Sequence, residues 1–380
     1  MADSLMRFVL LCLRTFKRKR ALPPPDEPLA NLSNGAVLLI AAHNEAGTIG
    51  ATAAALGAQL NEWPGSRLWV VADRCHDATA QEAALAGAQV ADRKEGRLGK
   101  CAVISWWLEQ HPVEWRSRDA VVVLDADSRL KDGSLRELRR AMSDPRVAVA
   151  QSFVAPDAES RSGRLAGWSE VLMQRIDDEA RRRCGWSAPL RGTGMTFRGE
   201  LLAELAPRLH TLAEDLELDV MLAARSRRVA FVPDAVVIDP KPRQAAGASR
   251  QRARWLQGQL QVIAGYPREL GLALIQAPCR GEWGAWLLLP LLLLRPKILF
   301  IGLRFAALLL ASLRGFALTG LALDLIYYLA GAAFVDRPRQ YLRDLIATPR
   351  YAAMWTYSLS IATFQRIFRR DHRVWLRAGR

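Results

Sequence analysis

Three apolar runs set the tightest limit on what this chain can fold into: AVLLIAA from Ala36, RLWVVAD from Arg67 and VVVLDAD from Val121. Continuous runs of Val, Ile, Leu and Ala are what strands covered on both faces require. Between them lie segments of helical length, including an alanine-rich stretch from about Ala46 to Leu60 and one that holds Trp106 and Trp107. Thr79 and Glu82 have the spacing of a capping box for the helix after the second run. Strand–helix alternation with short links predicts an α/β fold, a Rossmann-like, mostly parallel sheet with helices on both faces. Such sheets bind ligands outside the carboxyl ends of their strands, so the chemistry is expected where these runs stop.

The run ends are polar in a consistent way. Asp125 and Asp127 alternate around Ala126, so both carboxylates can face the same side, an arrangement that suits a hard divalent cation and a phosphate. Asn44 and Glu45 follow the first run and Asp73 ends the second. Turn formation and capping are the plain roles of such residues, but together they make a polar rim able to read a base and a ribose. RKEGRLGKC has Gly96 and Gly99 too close together for a Walker loop, and Cys101 follows Lys100 where Ser or Thr is needed. A glycine turn with Lys100 at a helix start still lets backbone approach a diphosphate. In RGTGMTF, Gly192 and Gly194 bracket Thr193, allowing close approach of the backbone to a ligand. Glu214 and Asp215 open an amphipathic helix, where acids are favoured electrostatically and where one carboxylate can also serve as a general base. In SRQRARWLQGQ, Gln251, Arg254, Trp255 and Gly258 fall within a stripe of about 100° on a helix. Arg252 projects away from that stripe, toward solvent or lipid headgroups, and Arg250 is undecided.

The chain of 380 residues carries a net charge of +15, which fits nucleic acid, an anionic membrane leaflet or an anionic substrate. No nucleic-acid-binding motif accompanies the basic run, so nucleic acid is not an expected partner. The five cysteines are scattered, as are the five histidines, which reads as free thiols in a reducing compartment without a zinc site. The first twenty residues read as a short interfacial helix, with Lys17, Arg18, Lys19 and Arg20 at anionic lipid headgroups. After about Gly265 the chain becomes apolar. WGAWLLLPLLLL is too short to span a bilayer, while the stretch from Phe316 to Val335 has the length of a spanning helix. A helical hairpin with its tip at Arg314–Gly315 sets Arg304 and Asp324 at similar depth, as an inward-facing pair. The basic ends place both termini on the cytosolic side. The expected units are a basic amphipathic segment at 1–30, a catalytic domain at 31–266 and a helical membrane-associated region with a basic tail at 267–380.

Taken in order, AAHNE, VADRCHD, LDADS, GTG, AED and QRARW resemble the motifs of inverting family 2 glycosyltransferases, in the membrane-associated branch that includes cellulose, chitin and hyaluronan synthases. The resemblance covers roughly Gly35 to Tyr266 and implies a GT-A fold that binds a nucleotide-diphosphate sugar, with UDP-sugar the expected donor and Mg2+ or Mn2+ the cofactor. It implies that Ala42, Glu45, Asp73, Lys100 and Asp125 meet the nucleotide and that Asp125 and Asp127 engage the metal. Asp215 matches the base. Gln251, Arg254 and Trp255 match QxxRW at the diphosphate and acceptor, with Glu214, Gly192, Thr193 and Gly194 beside them. Ala213 departs from the family's Thr, and the short apolar regions depart from the synthases' channel-forming helices. The expected reaction is transfer to a hydroxyl of a membrane-bound or lipid-linked saccharide in polysaccharide or glycoconjugate assembly, at the inner membrane facing the cytosol. A processive synthase is the alternative. A metal-dependent nucleotidyltransferase, which does not account for the QxxRW or the ED helix, and a non-enzymatic basic membrane- or nucleic-acid-binding protein, favoured by charge alone, are more distant ones.

Overall fold

A computed structural model of the chain describes residues 2–15, 32, 34–241, 245–279 and 297–368. The basic residues Lys17–Arg20, the apolar run at 283–294 and the arginine-rich end beyond 368 lie outside the described residues, as does the side chain of Arg250.

After helix α1 (Ala2–Thr15) the chain alternates β1 (Ala36–Ala42), α2 (Ile49–Gln59), β2 (Arg67–Asp73), α3 (Thr79–Leu85), β3 (Gln89–Arg93), α4 (Lys100–Gln110), α5 (Pro112–Arg116) and β4 (Ala120–Leu124). It continues through β5 (Arg129–Leu130), α6 (Ser134–Met142), β6 (Val149–Asp157), α7 (Arg161–Leu172), a π-helical stretch at Met173–Asp178, α8 (Glu179–Cys184), β7 (Met195–Phe197), α9 (Gly199–Leu205), α10 (Glu214–Ala224) and β8 (Val229–Pro240). Helices α11 (Ala245–Gly265), α12 (Pro267–Cys279), α13 (Lys297–Ala307), α14 (Arg314–Ala330), α15 (Pro338–Leu345) and α16 (Thr348–Phe368) follow.

The eight strands form one sheet in the order β3-β2-β1-β4-β7-β6-β8-β5. The first four are parallel, as is the β6–β8 pair, whereas β7 runs antiparallel between β4 and β6 and β5 runs antiparallel to β8. Burial on both faces is literal. Val37, Leu39, Val121 and Val123 enter one core with α4, α9 and α10, while Ala36, Leu38, Ile40, Val122 and Leu124 enter a second with α2 and α6. Cys12, Cys75, Cys101 and Cys184 form no disulfide.

Four expectations change. Thr79 and Glu82 do not cap α3: Thr79 Oγ1 accepts from the Glu45 amide at 2.7 Å and Glu82 Oε2 from the Gly47 amide at 2.7 Å. The long β1–α2 loop leaves amides that a local box would not satisfy, and these two side chains satisfy them. Helix α1 is docked on protein as well as amphipathic. Ser4, Arg7 and Leu10, one turn apart, are buried, and the Arg7 guanidinium lies 5.2 Å and 5.9 Å from the ring centres of Tyr327 and Tyr328. Its outward residues Leu5 and Val9 stay exposed. The turn between α13 and α14 falls at 308–313, with Arg314 opening the second helix, yet Arg304 and Asp324 are ion-paired and buried as the spacing predicted. Gly320 makes this possible, since a Cβ there would stand 2.8 Å from Arg304 Nε. Finally, Leu270 and Ala273 of α12 join the main core, so the sheet domain continues past Tyr266.

Candidate active site

The carboxyl ends of the central strands open into a cavity of about 2280 Å3 that runs on past β8 and along α7 to residues of α13–α16. Asp125 and Asp127 both line it, at the end of β4. Their turn is fixed from the neighbouring loop: the Asp125 amide donates to Thr193 Oγ1 at 3.2 Å, and Thr193 Oγ1 bonds Ser128 Oγ at 2.9 Å. Gly192 lines the cavity and its carbonyl accepts from Lys100 Nζ at 2.8 Å. Gly194 serves the sheet instead, with φ +66° and no room for a Cβ, which would lie 2.6 Å from Val237 Cγ2. Lys100 Nζ also donates to Asp125 Oδ1 at 2.5 Å. Burial opposes its charge, but the Asp125 and Glu214 carboxylates win and raise its pKa.

The rim at β1 and β2 is tightly held. Asn44 takes the left-handed φ of 54° and its Oδ1 accepts from the His76 amide at 2.8 Å. Glu45 lines the cavity; Ala42 and Asp73 lie buried behind the rim. Asp73 is 1% exposed and its carboxylate bonds Arg93 Nη1 at 2.5 Å and Arg74 Nη2 at 2.5 Å, so that Arg74 is the member of this cluster that faces the cavity. Arg93 was not singled out by sequence, and a cation at the end of a short edge strand gives no signal of its own.

Opposite the DAD turn, Glu214 and Asp215 open α10 and line the cavity. Burial pushes the Glu214 carboxyl up to about 7; the Lys100 ammonium opposes the rise, and the carboxylates of Asp215 and Asp125 add to it. Asp215 Oδ1 accepts from the Leu216 amide at 2.8 Å. The loop before this helix is pinned from below by Glu217, fully buried, which accepts from the His210 and Thr211 amides at 2.9 Å each and from the Tyr266 hydroxyl. Gln261 Oε1, from α11, takes the Leu212 amide at 3.0 Å. Gly258 lets α11 touch this loop: a Cβ there would sit 2.6 Å from Ala213 Cβ and 2.8 Å from Ala213 N. The sequence placed Gly258 on the helix stripe but gave it no partner.

That contact brings Gln251, Arg254 and Trp255 into the same cavity as the two acidic motifs. Arg254 Nε is buried and has no hydrogen-bond partner among the described residues. Arg252 departs from the expected exposure. It is 4% exposed, with its guanidinium 5.2 Å and 5.3 Å from the ring centres of Tyr351 and Trp355 on α16. The reason is the α16 helix, which covers the side of α11 that the sequence left to solvent or lipid.

A mixed sheet with a DAD turn, a GTG loop and an acidic helix start converging on one cavity is the GT-A architecture of nucleotide-diphosphate-sugar transferases. The sequence model described as Glycosyl transferase family group 2 matches residues 120–335, and the chain belongs to this family of glycosyltransferases. Its fold is similar to that of a mannosyltransferase from Pyrobaculum calidifontis in complex with GDP-mannose and Mn2+, with a TM-score of 0.59 and 15% identity, covering 97% of this chain and 96% of that one. A glucosyl-3-phosphoglycerate synthase from Mycobacterium tuberculosis, in complex with Mn2+, UDP and phosphoglyceric acid, aligns at a TM-score of 0.45 and 20% identity, over 66% of this chain and 87% of that one. An N-acetylglucosaminyltransferase of Rhizobium sp. (strain N33) is 24% identical over 177 residues, 42% of this chain and 39% of that protein, so the chain spans well under half of this relative's length.

Proposed function

We propose that the protein is an inverting, metal-dependent glycosyltransferase that moves a sugar from a nucleotide-diphosphate donor to a hydroxyl of a membrane-bound, lipid-linked saccharide. The observation that carries this reading is Arg254: a guanidinium with a buried, unpartnered Nε in a cavity shared with Asp125, Asp127 and Asp215. A buried guanidinium N–H without an acceptor is costly and is satisfied by an anion such as a diphosphate.

In this reading Asp215 takes the proton of the acceptor hydroxyl as its oxygen attacks the anomeric carbon. The carbon–oxygen bond to the diphosphate breaks on the opposite side, so the anomeric configuration inverts. Arg254 and Lys100 hold the charge that develops on the departing diphosphate. The oxygen-only donor set of Asp125 and Asp127, on a turn fixed by Thr193, fits a hard divalent cation such as Mg2+ or Mn2+. Such an ion, when bound, supplies further positive charge to the leaving group. The Mn2+ in the complex of the P. calidifontis mannosyltransferase supports the assignment.

Membrane attachment is supported by exposed apolar side chains on α13, α14 and the turn between them. Leu303, Phe305, Leu309, Phe316, Leu318 and Leu325 are each more than half exposed, and so much exposed apolar surface is unusual on a protein surrounded by water. Among the described residues, Ala311–Phe334 is long and apolar enough to cross a membrane, by length and composition. The basic N- and C-terminal segments support a catalytic domain that faces the cytosol.

A screen of UDP- and GDP-sugars with Mn2+ or Mg2+ tests the proposal by nucleoside diphosphate release in the presence of alkyl glycosides. The expected result is release that depends on one donor, on metal and on acceptor. Release from none of the donors, with intact protein, sinks it. Sizing the product separates single transfer from the processive alternative, which predicts a long polymer.

A further inference from the structure

Beyond the DAD turn, on the side away from the β1–β2 rim, the cavity wall carries a compact charged trio that no motif includes. Lys241 follows β8, and its Nζ lies 2.7 Å from Asp239 Oδ2 and 2.6 Å from Glu170 Oε2 of α7. All three residues line the cavity. The ammonium is the most buried of them, with 10% of its side chain exposed. Each carboxylate bonds Lys241 through one oxygen, and the described residues supply no hydrogen-bond donor to the other. The strand order separates this trio from the rim: β1 is next to β4, and β8 lies three strands further along the sheet.

The formal charges decide what this wall can bind. One ammonium and two carboxylates leave a net charge of −1, beside the further carboxylates Asp125 and Asp127, so an additional phosphate is repelled. A second metal ion is disfavoured because Lys241 already fills the place between the two carboxylates. Neutral hydroxyl groups fit, since they donate to carboxylate oxygens in charge-assisted hydrogen bonds. The lysine holds one oxygen of each carboxylate in place. Burial pushes the Asp239 carboxyl up, and the Lys241 ammonium opposes that rise.

We infer that Glu170, Asp239 and Lys241 form a sugar-recognition subsite in which the two carboxylates accept hydrogen bonds from saccharide hydroxyls. The inference rests on the proposed glycosyltransferase reading and deepens it. Hydroxyls of the transferred sugar and of the acceptor saccharide share this chemistry, and the experiment separates them.

The test compares the unaltered protein with Glu170→Gln and Asp239→Asn, with Mn2+ present. Binding of UDP and GDP is measured by calorimetry, as is binding of UDP-glucose, UDP-N-acetylglucosamine and GDP-mannose, and the Michaelis constant is measured for dodecyl glucoside as acceptor. Binding of UDP or GDP by the unaltered protein checks the underlying reading separately. If the subsite holds the donor sugar, the variants bind the nucleoside diphosphate as before but lose at least tenfold in affinity for its sugar conjugate. If it holds the acceptor, donor binding is unchanged and the acceptor Michaelis constant rises at least tenfold. The inference is overturned if all these quantities stay within twofold. It is equally overturned if both variants lose bare nucleoside diphosphate binding, which would make the trio a structural strut between α7 and β8.

Discussion

At the scale of single residues, the two arginines of QRARW divide by what surrounds them rather than by exposure. Arg254 has an unsatisfied Nε in the cavity, while Arg252 is packed between Tyr351 and Trp355. Arg254→Ala is expected to lower turnover of the donor about 10²–10³-fold, as loss of one preorganised charge-stabilising donor does, with little change in melting temperature. Arg252→Ala removes two cation–π contacts worth roughly 0.5–2 kcal/mol each and is expected to lower the melting temperature first; thermal scans and donor kinetics on both variants check the contrast. Asp215→Asn is expected to abolish transfer while donor binding survives, and full turnover in that variant would remove the base assignment. Glu214 adds a pH signature. Its folded pKa, pushed up to about 7, lies above the ordinary value of 4.5, so the folded state holds this proton more tightly than the unfolded chain does. The stabilisation is fully present below about pH 4.5, declines as pH rises through 4.5 to 7, and is absent above. Glu214→Gln should therefore gain on the unaltered protein in melting temperature between pH 5 and pH 8. A difference that does not vary with pH would count against the buried, shared charge.

At the scale of elements, the helix–loop contact at Gly258 sets the distance between QxxRW and the acidic pair. Gly258→Ala forces a Cβ against Ala213 backbone at 2.8 Å, where neither side can yield cheaply. Overpacking of this kind costs about 1–3 kcal/mol, and here the displacement falls on Arg254 and Asp215 together. A loss of turnover of more than tenfold is expected, while Gly271→Ala on α12, with nothing within 4 Å of the added Cβ, should be silent in the same assay. The parallel half of the sheet was legible in the sequence because its strands are buried on both faces and so carry uninterrupted apolar runs. The DAD, GTG and ED positions were legible because they stand where strands and helices meet loops, the places at which a sheet of this kind opens to a ligand. What escaped depends on partners distant in sequence. Thr79 and Glu82 fit a local capping pattern, but the amides of Glu45 and Gly47 took them. Arg252 read as exposed because α16, about a hundred residues later, supplies its cover. The position of the α13–α14 turn was misplaced since Arg314–Gly315 looks like a tip, whereas the chain reverses just before it.

At the scale of the whole molecule, the apolar helices join the catalytic domain through an apolar cluster of Leu172, Ile176, Tyr327, Val335 and Tyr341, with a few polar contacts around it. Arg304 and Asp324 join α13 to α14 inside an otherwise apolar pair. Removing one member of a buried pair typically costs about 3–5 kcal/mol because its partner is left unpaired, whereas removing both is cheaper. Arg304→Met or Asp324→Leu alone should thus reduce the yield of folded protein more than the double substitution; equal, additive losses would show that the two charges act independently. Tyr327 then connects α14 to the π-helical stretch through Asp177 Oδ1 at 3.0 Å, and the adjacent Asp178 holds Arg191, just before the GTG loop. The Arg7 clamp on Tyr327 and Tyr328 has a consequence for biosynthesis. Arg7 Nη1 donates to a hydroxyl 321 residues later in the chain. At synthesis rates of about 5–20 residues per second, roughly 15–65 s separate the emergence of the two partners. Arg14, at the other end of α1, bonds Arg175 and Arg183, which emerge about halfway through that interval. Helix α1 is thus held first by its last turn and closes its Arg7 face only when α14 arrives.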